Sequence, residues 1–287
     1  ILLHALAAGG CRAQQGPMQH LIAEYMGCQQ QLGWGAAAKD KSADFLTVTN
    51  TLWAVATAEY GGSVTPLLLG IQQAVAAGAM RKAQARNWSL MLWALAKLPQ
   101  CHPSEPCKQL AAVAVPAMIT CIKAGHVVPQ DVSNTMWAVG QLCPATPQAQ
   151  ALVFALAQAP AAIMAGGTTQ AYSNTLVGLA SIWSTLNASQ TSLRTAVLTA
   201  ALVSALHLDR LLTKAQSQGT TDHIHPQNIA NALTSLAKLS LHMEGLTARA
   251  VASMQALAAA GRLLPQDVSS ALWACAKLGH GLPRSPV

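Results

Sequence analysis

Residues 129–142 read Pro129-Gln130-Asp131-Val132-Ser133-Asn134-Thr135-Met136-Trp137-Ala138-Val139-Gly140-Gln141-Leu142. The phrase returns as Pro265-Gln266-Asp267-Val268-Ser269-Ser270-Ala271-Leu272-Trp273-Ala274, and again as Pro226-Gln227-Asn228-Ile229-Ala230-Asn231-Ala232-Leu233-Thr234-Ser235. Shorter echoes are Thr49-Asn50-Thr51-Leu52-Trp53-Ala54, Ser89-Leu90-Met91-Leu92-Trp93-Ala94 and Tyr172-Ser173-Asn174-Thr175-Leu176-Val177-Gly178. Anchored on the Trp position, the copies fall at 53, 93, 137, 177, 234 and 273, with spacings of 40, 44, 40, 57 and 39. A fixed period of this size marks a repeat architecture.

Each repeat reads as two helices. Proline suits the first turn because its missing N–H has no partner there in any case. Val132, Met136, Val139 and Leu142 then recur at steps of four, three and three, one buried stripe of a helix. Ala138 and Gly140 are small, as are the equivalent Ala54 with Ala56, Ala94 with Ala96 and Ala274 with Ala276, which lets neighbouring helices approach closely. Leu/Ala-rich second helices are expected at Pro66–Ala79, Cys107–Lys123, Pro147–Ala159, Leu193–Lys214 and Leu246–Ala260, most of them running into Gly78, Gly125, Gly166 or Gly261 as a stop. A hairpin of two such helices buries its apolar faces only by stacking on its neighbours. The expected fold is therefore all-α, an α-solenoid of about six antiparallel helical hairpins, with residues 1–287 forming a single array. The long spacing places an insertion at about 200–225. Leu3-His4-Ala5-Leu6-Ala7 fits the same frame with His4 at the Trp position, so the chain reads as a piece cut from a longer array.

Composition agrees. Asp, Glu, Lys and Arg make up 9% of the 287 residues, against about 25% in an average soluble protein. The 52% hydrophobic content is too high for intrinsic disorder, and 4% aromatic residues are too few for a large sandwich or barrel. No run of 18 or more uninterrupted apolar residues is present, and the longest candidate, Ala196–Leu206, is too short for a membrane span, so no membrane partner is expected. The 7 cysteines are odd in number and irregularly spaced, which argues against a disulfide framework and for reduced thiols. Asp222, His223 and His225 lie together in the insertion loop but lack further ligands at workable spacing, so no metal and no cofactor is expected. No Gly-rich phosphate loop carries the required Lys and Ser/Thr. The 10 acidic residues never cluster as an acid–base pair, so the chain is read as no enzyme.

The string Pro-Gln-x-x-x-Asn-x-Leu-Trp-Ala-x-Ala-Lys-Leu, at its period near 40, resembles the octotricopeptide repeat family of green algae. Its best matches here are Ser89–Leu98, Pro129–Leu142, Pro226–Leu239 and Pro265–Gly279, and the likeness covers nearly the whole chain. The related repeat of animal FAST-kinase-like mitochondrial proteins is a second match. Val177 and Thr234 depart at the Trp position, Leu90 and Ser270 at the Asn position, and Thr57, Gln141 and Ser181 at the Lys position. The resemblance implies RNA binding without catalysis in a mitochondrion or chloroplast. It also implies roles in RNA stability, processing, splicing or translation, or as a constituent of a mitochondrial ribosome that stabilises rRNA beside other proteins of a large ribonucleoprotein.

Candidate RNA contacts follow from the first helices. Gln130, Asn134, Trp137 and Gln141 form a stripe apart from the apolar one. Across repeats its levels read Asn50, Asn134, Asn174 and Asn231, then Trp53, Trp93, Trp137 and Trp273, then Lys97, Lys238 and Lys277. Amides hydrogen-bond base edges, lysines neutralise phosphate, and indoles stack on bases. The same Trp also suits a core position, the Asn an inter-repeat hydrogen-bond ladder, and the Lys a cation complementing the helix dipole. A base reader should vary between repeats. Two variable positions are therefore further candidates: Thr47, Asn87, Asp131, Asn228 and Asp267 six residues before the Trp position, and Thr51, Met91, Thr135, Thr175, Ala232 and Ala271 two before it. A net charge of +7 suits an RNA partner, yet its modest size leaves open a protein-binding scaffold of the HEAT or armadillo kind.

Overall fold

The computed structural model describes residues 6–10, 19–24, 27, 45–101 and 104–279, with the backbone alone at Phe45, Thr47 and Val48. His4, Cys11 and Cys28 lie outside the described residues. From residue 45 onward, eleven α-helices are described: α1 Phe45–Thr57, α2 Thr65–Ala76, α3 Ala85–Lys97, α4 Glu105–Lys123, α5 Pro129–Leu142, α6 Pro147–Gln158, α7 Thr169–Trp183, α8 Thr191–Ser217, α9 Pro226–Leu239, α10 Glu244–Ala259 and α11 Pro265–Lys277. Short 3₁₀ turns occupy Pro99–Cys101 and Ala161–Met164. The described residues contain no strand.

Neighbouring helices pack in two sets. Each odd-numbered helix contacts the next odd one, from α1 on α3 through to α9 on α11. Each even-numbered helix contacts the next even one, from α2 on α4 through to α8 on α10. The stripe Val132, Met136 and Val139 is wholly buried where α5 meets its neighbours, as are Leu92 and Leu95 on α3 and Leu176 and Leu179 on α7. Glycines set the closest approach. A Cβ on Gly178 of α7 would run into the carbonyl of Met136 on α5, and one on Gly140 would sit 2.8 Å from the Gly178 Cα.

The helix starts share a device. Proline occupies the first turn of α5, α9 and α11. The third residue of α3, α5 and α11 folds back to cap its own helix. Asn87 Oδ1 accepts from the Gln84 N–H at 3.0 Å, Asp131 Oδ2 from Val128 at 3.1 Å and Asp267 Oδ2 from Leu264 at 3.1 Å. This is one half of a capping box and satisfies a donor that the helix leaves open. In α7 the third residue is Ala171, and the Thr168 hydroxyl supplies the cap instead. Gly125 and Gly261 follow α4 and α10 at φ 70° and 67°, the left-handed turn that glycine adopts without a Cβ penalty. Gly166 follows the 3₁₀ turn Ala161–Met164 rather than a second helix, because α6 already ends at Gln158.

The long spacing between repeats is taken up by α8, 27 residues long, and by the loop after it. Arg249 of α10 holds Asp209 of α8 through a two-pronged pair, Nε to Oδ1 and Nη2 to Oδ2 at 2.7 Å each. Arg262 donates to the carbonyls of Thr221 and Ile224, both at 3.1 Å, and ties the loop down. One sequence expectation changes here. By length and composition α8 is long and apolar enough to cross a membrane, with a mean hydropathy of 1.4 over an 18-residue window. An uninterrupted apolar run is too strict a test, because scattered Thr, Ser and Ala keep a helix apolar on average. Its face of Leu193, Val197, Ala201, Ala205, Leu208 and Leu212 is buried against α6, α7 and α10, the packing of a core helix.

Candidate nucleic-acid interface

Each odd helix buries the sides that meet its odd and even neighbours and leaves one stripe toward solvent. The stripe holds Leu46, Asn50, Trp53 and Thr57 on α1, then Arg86, Leu90, Trp93 and Lys97 on α3. On α5 it holds Gln130, Asn134, Trp137 and Gln141, and on α7 Gln170, Asn174, Val177 and Ser181. On α9 it holds Gln227, Asn231, Thr234 and Lys238, and on α11 Gln266, Ser270, Trp273 and Lys277. All are exposed or half-buried except Asn134, which is 6% exposed and accepts from its helical neighbour Gln130, Nε2 to Oδ1 at 2.8 Å. The face therefore runs from a level of Arg86 and glutamines, through asparagines, to the Trp level and then to lysines in the last turns of α3, α9 and α11.

The Trp level divides by neighbour. Trp53, Trp93 and Trp137 are half-buried and pack against the core, while Trp273 on α11 is 49% exposed. Two adjoining grooves open along this face. One, of about 720 Å³, lies between α1 and α3 over Asn50, Trp53, Gln84, Arg86 and Leu90. The other, of about 430 Å³, lies between α3 and α5 over Trp53, Arg86, Trp93, Gln130 and Asn134, with Gln170 of α7 at its edge.

The two variable positions do not reach this face as a set. Asn87 and Asp131 are 6% exposed and Asp267 is 5% exposed, each turned back to cap its own helix. Asp131 Oδ1 also accepts from Ser89 Oγ at 3.1 Å, which joins α3 to α5. Asn228 is half-buried and donates to Thr169 Oγ1 at 3.3 Å, joining α9 to α7. Thr135 is 0% exposed and its hydroxyl donates to the Asp131 carbonyl at 2.8 Å. Thr175 repeats that bond to Ala171 at 2.9 Å. The hydroxyls of Thr135 and Thr175 are thus bonded within their own helices. Thr135 and Asp267 accordingly leave the candidate face, Asn228 becomes an inter-helix link, and Asn87 and Asp131, though largely buried, border the first and the second groove. Thr47 lies on the backbone of α1, and its side chain lies outside the described residues.

The sequence candidates overlooked Arg86, Gln170, Gln227 and Gln266. The signal was present, since each glutamine lies four residues before the Asn level and so on the same helical side. The loop of Asp222, His223 and His225 is exposed, and among the described residues no group of three or more His, Cys, Asp or Glu is placed to hold a metal ion. Burial pushes the thiols of Cys121, Cys143 and Cys275 up from their ordinary value. The interaction between the Cys101 and Cys107 thiols pushes Cys107 up and lowers Cys101. No protein-family model and no curated protein matches the chain.

Proposed function

We propose that the chain is an α-solenoid of about six hairpins whose odd helices form an RNA-binding face, and that it acts by binding and not by catalysis. The observation that carries this reading is the face itself. Six successive helices turn the same stripe to solvent, and it offers amides, indoles and basic groups without one carboxylate. Amides pair with base edges, indoles stack and cations take phosphate, which together suit single-stranded or loop RNA. The likeness to octotricopeptide repeats points the same way and supports an organellar setting, a mitochondrion or else a chloroplast. It further supports rRNA within a mitochondrial ribosome as the partner, or a free role in RNA maturation or translation. The test is ultraviolet crosslinking of the chain to organellar RNA, with the crosslinked peptides identified by mass spectrometry. Crosslinks on the solvent stripe, around Trp53, Trp93, Trp137 or Trp273, support the reading. Crosslinks confined to the even helices, or none, overturn it.

One observation favours a protein partner in addition. Leu69, Val113, Phe154, Leu202 and Leu206 of the even helices are large apolar residues at 37–47% exposure. An assembly component that meets protein there and RNA on the odd helices accommodates both. Co-purification of ribosomal proteins that is lost on Leu202→Glu with Leu206→Glu, with RNA binding intact, is the outcome this second reading expects.

A further inference from the structure

The two grooves between α1, α3 and α5 differ in one respect that fixes a direction. Arg86 lines both grooves, and the α1–α3 groove has no carboxylate among the residues that line it. The α3–α5 groove has the indoles of Trp53 and Trp93 in its walls and Asp131 at its floor. Trp53, Arg86 and Leu90 line both and stand between them, so the two grooves adjoin at α3. Their volumes, about 430 and 720 Å³, fall in the range of roughly 300–1,000 Å³ found for small-ligand sites.

The Asp131 carboxylate takes the Val128 N–H on Oδ2, and on Oδ1 it shares the Ser89 hydroxyl with the Arg86 carbonyl. Each carboxylate oxygen carries a second lone pair. A phosphate is repelled there, and a carbonyl edge finds no donor in the carboxylate, whereas an amino group finds an acceptor. Arg86, by contrast, presents a fixed fork of donors that matches phosphate. Apolar walls beside an acceptor suit a flat heteroaromatic ring bearing an amino group.

We propose that these two adjoining grooves form a nucleotide subsite that holds a base with an exocyclic amino group in the α3–α5 groove and its phosphate at Arg86, which borders both grooves. The inference rests on the RNA-binding reading and adds a base preference to it. Trp53 and Trp93 flank the ring, the Gln130–Asn134 amide pair borders its edge, and Asp131 accepts from the amino group. Uracil places a carbonyl where cytosine places its amino group, and meets the carboxylate acceptor to acceptor.

The experiment is a tryptophan-fluorescence titration of the whole chain with oligocytidylate and oligouridylate of equal length, at two salt concentrations. Oligocytidylate is expected to bind about tenfold more tightly, the scale of one good base contact. Asp131→Asn keeps an acceptor for the Val128 N–H and adds a donor, so it should narrow or reverse that ratio. Arg86→Gln should weaken both ligands alike and lower the logarithmic salt slope by about one. Equal binding of the two oligomers to the unaltered chain overturns the inference, whether or not the variants fold. So does a ratio indifferent to Asp131→Asn in a folded variant, or a salt slope indifferent to Arg86→Gln. Steep, salt-dependent binding of organellar RNA with equal binding of the two oligomers refutes the subsite alone and leaves the RNA-binding face standing. Absence of all RNA binding refutes both.

Discussion

At the scale of single residues, the polar groups of the odd helices include some that finish helices, some that link them and some that face solvent. Asp267 is of the first kind, its carboxylate closing the start of α11 on the Leu264 N–H. Asp267→Ala should cost about 1 kcal/mol, the usual worth of a helix-start acceptor, seen as a lower melting temperature with RNA affinity unchanged. A loss of affinity with unchanged melting would return Asp267 to the reading face. Thr135→Val should likewise leave RNA affinity unaltered in a titration, because the hydroxyl it removes bonds only within its own helix. Ser240 ends α9 in the left-handed region at φ 52° without being glycine. Ser240→Gly should raise stability by about 0.5–1 kcal/mol in a denaturant melt. A neutral or lower value would mean that the Ser240 side chain compensates its own strain.

At the scale of elements, the helix pair α5 and α7 shows how far the sequence could be read. The small pair Ala138 and Gly140 predicts a close approach, and in the structure Gly140 faces Gly178 of α7 across it. Gly178→Ala should separate the helices and cost roughly 1–3 kcal/mol, as overpacking does, measured by chemical denaturation. α4 carries Pro116 inside an otherwise regular helix. The sequence stripe at 130, 134, 137 and 141 lands on the solvent side of α5 because 3.6-residue periodicity alone assigns sides. Periodicity does not say which of two polar sides is wet, and that is where Asp267 and Thr135 misled. Asp131 and Asp267 stand two residues after a helix-starting proline, the place of a capping acceptor, a local signal that variability obscured. Thr135, Ala232 and Ala271 share small size more than polarity, the mark of a helix–helix seam. The α8 helix exceeded its apolar run because helix length follows from capping and packing, not from the run of greasy letters.

At the scale of the molecule, the 9% charge follows from two sets of helices that cover each other, so few positions need a solvated side chain. α11 is the exception that shows the rule. Val268 and Leu272 correspond to the wholly buried Val132 and Met136 of α5, yet they are 38% and 45% exposed beside a 220 Å³ apolar groove. Among the described residues no helix lies beyond α11 to cover them. Hydrogen exchange should accordingly be slowest in α5, α7 and α9 and faster in α11, as expected where each helix is held mainly by its neighbours. On the proposed RNA-binding reading, affinity comes from spaced cations on the odd-helix face, assisted by amides and indoles. Lys97, Lys238 and Lys277 stand at one level of the odd-helix face. The most direct test is the affinity of the chain for organellar RNA across salt concentrations, beside a variant with those three lysines changed to Gln. The account predicts a steep fall in affinity with salt, and a slope shallower by up to about three in the variant, one per lost phosphate contact. Binding that is absent, or indifferent to salt, would contradict it.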